Sequence, residues 1–135
     1  MFKKLLLLII TSVFAFALQQ SFLEPEEAFK PSFEKKENIL VFKLGLGKDI
    51  YLYDDKLKFF VKESGKAEKI DIRPFLNIPK AKEYEIWQVQ HDDLNIEIPF
   101  SLIKSKFDVP SVEIEIEFQG CSKAGLCYAP MSEIY

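Results

Sequence analysis

The sequence predicts an all-β sandwich. Several short runs rich in Ile, Val, Phe and Tyr recur between Asn38 and Phe118. Turn residues (Gly45, Gly47, Asp54-Asp55, Gly65) separate them. No stretch carries the apolar spacing of an amphipathic helix. Short strands broken by turn signals bury one face each against a second sheet.

The chain opens with Lys3 and Lys4, an apolar run from Leu5 to Phe14, and Ala15-Phe16-Ala17. That order is a secretory signal peptide, residues 1–17, cut after Ala17. The apolar run is shorter than the about 20 residues that span a bilayer; a retained anchor is the alternative. The mature chain, 18–135, is one domain with its own core. Residues 18–37 are polar, contain Pro25 and Pro31, and read as an N-terminal arm. Ile39–Leu44, Ile50–Tyr53 and Leu57–Val61 are expected strands, the last closed by a turn at Glu63-Ser64-Gly65-Lys66. Lys69–Arg73 is expected as an edge strand before Pro74, and residues 74–91 as irregular chain. Leu94–Phe100 and Val112–Phe118 alternate cleanly, so Ile114 and Ile116 should face a core and Glu113, Glu115 and Glu117 water.

The chain carries 18 basic and 21 acidic side chains, a net charge of −3. The leader holds two of the lysines and no acid, so the mature surface is more acidic still. That argues against nucleic-acid binding. A single His and no Cys/His cluster argue against zinc, and no cofactor or metal is expected.

The two cysteines, Cys121 and Cys127, flank Ser122-Lys123-Ala124-Gly125-Leu126. The strand ending at Phe118 runs into Gly120-Cys121, and Ala124-Gly125 can supply a hairpin turn. In an exported protein such a pair reads first as a disulfide. Two roles remain open. A staple over about seven residues contributes roughly 2.4 kcal/mol by loop entropy. A small bridge at an exposed tip is also accessible to exchange. Lys123 is the only nearby base, and no Cys-x-x-Cys helix start is present to acidify a thiol.

Phe118-Gln119-Gly120-Cys121, Gly125-Leu126-Cys127-Tyr128 and Pro130 resemble the cysteine hairpin of the N-terminal periplasmic domain of the DsbD thiol:disulfide interchange proteins. Phe22–Phe29 is similar to the start of that mature domain, and Ile50-Tyr51-Leu52-Tyr53 to its Tyr-Leu-Tyr strand. The resemblance implies an immunoglobulin-like β-sandwich with a redox-active cysteine hairpin. It implies that Cys127 forms the mixed disulfide with partners and Cys121 resolves it. It implies a thioredoxin-like domain as electron donor, and a periplasmic disulfide isomerase or a cytochrome-c-maturation thioredoxin as acceptors. It implies periplasmic localisation, with attachment to the inner membrane where the domain is part of a longer chain. An aromatic cap is implied over the pair. Lys82–Trp87 must supply it, with Tyr84 first, Trp87 second, and only Glu83 matching the acidic pair that precedes the family's aromatic. Tyr51, Tyr53 and Tyr128 complete the expected surround. The rival reading is a non-enzymatic periplasmic binding module with a purely structural disulfide.

Other candidates are weaker. His91 before Asp92-Asp93 reads as a solvated loop histidine rather than a partner for a cysteine. Gly45-Leu46-Gly47-Lys48 lacks the spacing of a phosphate loop and reads as a turn. A lone Trp87 is by default core. The Glu113, Glu115, Glu117 row reads as a solvent-facing edge whose repulsion discourages strand pairing.

Overall fold

The computed structural model describes residues 22–106 and 112–135. The proposed leader and residues 18–21 lie outside them. Eleven strands make three antiparallel sheets among the described residues. The first sheet has the order β1-β2-β8, with β1 at Phe29–Lys35, β2 at Ile39–Leu46 and β8 at Leu94–Pro99. The second runs β10-β3-β7-β6: Gly120–Ser122, Ile50–Tyr53, Trp87–Gln90 and Lys82–Tyr84. The third runs β11-β9-β4-β5: Met131–Ile134, Val112–Phe118, Lys58–Glu63 and Ile70–Asp71.

The expected alternation decides the core. β8 buries Leu94, Ile96 and Ile98 and exposes Asn95 and Glu97. β2 contributes Leu40, Phe42 and Leu44, β4 Phe59 and Val61, and β9 Ile114, Ile116 and Phe118. Phe42 and Phe59 meet edge to face at 6.2 Å, which shows the first and third sheets packed against each other. This is the expected immunoglobulin-like sandwich.

Four expectations need correction. The N-terminal arm is mostly a strand: after a single helical turn, α1 (Pro25–Ala28), β1 pairs with β2 along its whole length. Pro31 is compatible because β1 is an edge strand whose other side needs no ladder bond. A helix also exists, α2 at Phe100–Lys106, seven residues that bury Ile103 and are too short to leave a periodic signature. Residues 74–91 are not all irregular, because β6 and β7 form a hairpin across Glu85-Ile86. Its turn holds Glu85 at φ 53, a left-handed position where glycine is usual, so no turn residue marks it. Finally, β9 is no edge: β4 and β11 flank it. Glu115 is buried and bound to Lys69 at 2.7 Å, and Glu113 pairs with Lys62 at 3.3 Å. The lysines of the neighbouring segments offset the repulsion that the row of glutamates would otherwise have.

The edge strand expected at 69–73 is shorter, Ile70–Asp71. Arg73 behind it pins the second sheet. Its guanidinium donates to the carbonyls of Asp54 and Leu57 at 2.5 and 2.6 Å and pairs with the Asp54 carboxylate at 2.8 Å. The buried Gln90 amide on β7 donates to the same carboxylate, 3.0 Å, and to the Pro79 carbonyl, 2.7 Å. β7 is thereby fixed beside β3. Among the described residues no helix is long and apolar enough to cross a membrane.

Candidate functional site: the cysteine hairpin and its aromatic face

β3 and β10 bring the site together by register. Cys121 stands opposite Tyr51, and Gly120 opposite Leu52. Tyr53 stands opposite Val89, Val89 opposite Lys82, and Trp87 opposite Tyr84. Period two and direct pairing place residues on a common face. Cys121, Tyr51, Tyr53, Val89, Trp87 and Tyr84 therefore share one face of the second sheet, while Ile50 and Leu52 turn to the core.

The hairpin geometry forces the cysteines together. The Ser122 amide donates to the Leu126 carbonyl at 2.7 Å, and the Tyr128 amide to the Gly120 carbonyl at 3.0 Å. Cys121 and Cys127 sit between those two bonds as the non-hydrogen-bonded pair of an antiparallel bridge, the pair whose side chains lie closest. Their Cα atoms are 4.0 Å apart and they form a disulfide. The turn is the expected one: the Gly125 amide closes on the Ser122 carbonyl at 3.0 Å, with Gly125 at φ 109.

The hairpin seats tightly because residue 120 has no side chain. A Cβ there would collide with the Tyr51 carbonyl oxygen and stand 3.0 Å from the Phe29 ring. Phe29 in turn stacks on Tyr128 at 5.2 Å and Phe118 at 5.7 Å. The base of the hairpin thus rests directly on core aromatics.

The two sulfurs differ. Cys121 is 0% exposed, packed with Tyr51 and Val89, whereas Cys127 is exposed. The Tyr53 hydroxyl lies 3.2 Å from the Cys121 Sγ and 3.8 Å from the Cys127 Sγ. Trp87 packs edge-on against Tyr53 at 5.3 Å, and Tyr51 packs edge-on against the same Tyr53 ring at 5.9 Å. Tyr84 lies over Tyr51 at 4.9 Å, and the Lys123 ammonium sits 5.5 Å above the Tyr84 ring. That contact ties the cysteine hairpin to the β6–β7 hairpin through a cation–π pair.

The electrostatics follow from this packing. Tyr51 is pushed up to about 12 by burial first and by the adjacent Tyr53 second, so its hydroxyl stays protonated at neutral pH. His91 is half-buried against Tyr51 (6.3 Å) and Tyr84 (5.8 Å) rather than in a solvated loop. Burial, then Lys123 and Lys82, lower its pKa; Asp92 opposes them. Its folded form favours neutral imidazole, so this part of stability is lost as pH falls below the ordinary histidine range.

Of the remaining expected residues, Trp87 belongs to this face, whereas Tyr128 and Glu83 do not. Trp87 is 45% exposed rather than core, next to Ile86 at 82%. Tyr128 turns inward: its ring packs on Phe29 and its hydroxyl donates to the Leu23 carbonyl at 2.7 Å. Glu83 is exposed on β6. Sequence reasoning named Tyr53 without its contact to the sulfurs and dismissed His91. Alternation through Val89, Gln90 and His91 was the available signal that His91 shares the face of Val89. No group of three or more metal-binding side chains occurs among the described residues.

A sandwich with a disulfide across a hairpin at one sheet edge, one sulfur buried and the other open, defines a class: disulfide-bearing immunoglobulin-like domains. Comparison with known proteins places the chain within it. The family model described as "Thiol:disulfide interchange protein DsbD, N-terminal" matches residues 19–135. The DsbD of Campylobacter jejuni (strain RM1221) is 35% identical over 112 residues, 83% of this chain and 19% of that protein. The DsbD of Pseudoalteromonas atlantica is 26% identical over 121 residues, 88% of this chain and 19% of that protein. The reduced N-terminal domain of Neisseria meningitidis DsbD superposes with a TM-score of 0.55 at 18% identity, covering 84% of this chain and 87% of that one. The same domain in complex with the PilB N-terminal domain gives 0.58 at 20% identity, over 86% and 87%. This chain belongs to the DsbD N-terminal family. It spans about a fifth of the length of the curated relatives it matches.

Proposed function

We propose that this domain relays electrons by thiol–disulfide exchange through Cys121 and Cys127, as one domain of a larger protein-disulfide reductase. The observation that carries the reading is the asymmetry of the pair: Cys127 is open to an incoming protein thiol and Cys121 is held behind it. A thioredoxin-like donor attacks Cys127, forms a mixed disulfide, and its second thiol resolves that bond to leave the domain reduced. The Cys127 thiolate then attacks the disulfide of an acceptor, a periplasmic disulfide isomerase or a cytochrome-c-maturation thioredoxin. Cys121 resolves the second mixed disulfide. Support for a protein partner comes from the Neisseria domain, which has been captured with PilB. Residues 1–17 export the chain to the periplasm, and a longer chain tethers it to the inner membrane.

The β6–β7 hairpin acts as the cover. Tyr84 shields the buried side of the pair through Tyr51, and Glu83 lies on the cover's outer edge. Aromatic–aromatic and cation–π contacts of this kind contribute about 1 kcal/mol each, weak enough for a docking partner to displace.

A Cys121→Ala protein mixed with an oxidised thioredoxin-like partner is expected to accumulate a mixed disulfide through Cys127, seen by mass spectrometry. Cys127→Ala, left with the buried thiol alone, should accumulate none. An adduct confined to Cys127→Ala reverses the roles. In the same assay, Tyr84→Ala should hasten reaction of the reduced wild-type pair with iodoacetamide; an unchanged rate removes the cover from the account.

A further inference from the structure

Among the described residues, the face that carries the cysteines sets one polar group against both sulfurs, the Tyr53 hydroxyl. A disulfide sulfur has no hydrogen to give, so at Cys121 the hydroxyl must be the donor. At 3.2 Å it is within hydrogen-bond reach of that sulfur, and at 3.8 Å it is more distant from Cys127. Its position is fixed from both sides, by the Trp87 ring and by the Tyr51 ring.

The chemistry of exchange makes that donor consequential. When a thiolate attacks Cys127, a new S–S bond forms to the Cys127 Sγ and the Cys121–Cys127 bond breaks. The electron pair of the broken bond moves to the Cys121 Sγ. One thiolate is consumed and one is produced, so the step needs no added oxidant, reductant or proton. The product thiolate, however, appears on a sulfur that is 0% exposed and packed with Tyr51 and Val89. Water cannot solvate it there, and a buried anion without a donor is costly. A thiol in apolar surroundings also becomes a poorer leaving group, because leaving-group ability follows thiol acidity.

We propose that Tyr53 is a catalytic residue of the exchange, donating a hydrogen bond from its hydroxyl to the Cys121 sulfur as the thiolate forms there. This deepens, and rests on, the reading of the pair as exchanging. The unequal distances also give direction. The sulfur nearer the hydroxyl is the better leaving group, so attack is steered to the sulfur that is open to solvent. Burial of one sulfur, exposure of the other and placement of the donor then all favour the same order of events. In the return step the same bond favours the Cys121 thiolate that resolves the partner.

Tyr53→Phe tests this without a protein partner. The ring, and hence its stacking on Trp87 and Tyr51, is retained, and only the hydroxyl is lost. Hydrogen bonds to charged groups support an expected slowing of dithiothreitol reduction by roughly 10-fold or more, with an unchanged circular dichroism spectrum. In the reduced Cys127→Ser background, the same substitution should move the titration of Cys121, followed by its Cβ chemical shift, to higher pH. A purely structural tyrosine would leave that titration where it was. Wild-type reduction rates and an unmoved titration in Tyr53→Phe would overturn the role of Tyr53 while leaving the exchange reading intact. Failure of the Cys121→Ala protein to form any adduct with an oxidised thioredoxin-like partner would overturn the exchange reading instead.

Discussion

A Gly120→Ala protein is expected to lose about 3 kcal/mol of stability, the upper range for forcing an atom into a packed site. The added Cβ would meet the Tyr51 carbonyl oxygen, which is backbone held in the β3–β10 ladder, and the Phe29 ring on its other side. Neither neighbour is the free end of a flexible side chain, so β10 itself must shift. That shift carries Cys121 away from Tyr51 and Tyr53, so the variant should also reduce at an altered rate. Gly45→Ala is the matched comparison, because a Cβ there meets only the Lys30 Cβ at 3.5 Å and the Lys30 carbonyl oxygen at 3.8 Å, an ordinary contact. Urea denaturation of the two variants decides the matter. Equal midpoints would mean that residue 120 tolerates a side chain and that the seating of the hairpin is looser than described.

Phe29→Ala is expected to cost about 3–5 kcal/mol, the range for removing a buried phenylalanine from a core that collapses only partly. Phe29 is 2% exposed and holds three things at once: Phe118 at the end of β9, Tyr128 beyond Cys127, and the bare face of Gly120. The loss should therefore be felt at the hairpin as well as in global stability. Amide exchange at Tyr128, whose N–H closes the bridge onto Gly120, should quicken more than exchange at Ile96 in β8, where the core is lined by other side chains. A loss below about 1 kcal/mol would show that the hairpin does not depend on this aromatic base.

What the sequence made legible, and what it hid, follows from the range of the interactions. β8 and the buried isoleucines of β9 were readable because alternation at period two is local, and Gly125 announced the hairpin turn for the same reason. β1 was obscured because Pro31 and alternating charges suit an exposed edge strand as well as a loose arm. The β6–β7 hairpin was hidden because Glu85 adopts a left-handed conformation that sequence normally assigns to glycine or asparagine. In the site, the two cysteines could be paired from spacing, but their inequality could not. It arises from β3 lying beside β10, a pairing between residues some seventy positions apart that sets Tyr53 against the sulfurs. The inward turn of Tyr128 and the stacking of His91 likewise depend on packing between elements that no local pattern specifies.

If the Cys121–Cys127 bond exchanges rather than staples, its reduction potential must lie within reach of thioredoxin-like partners. Equilibration of the protein with a thioredoxin couple, followed by quantifying oxidised and reduced forms, gives the value. A potential above about −300 mV is expected, within reach of a thioredoxin at about −270 mV. A potential well below about −300 mV, where structural bridges of exported proteins lie, would contradict it and leave a binding domain with a structural clasp.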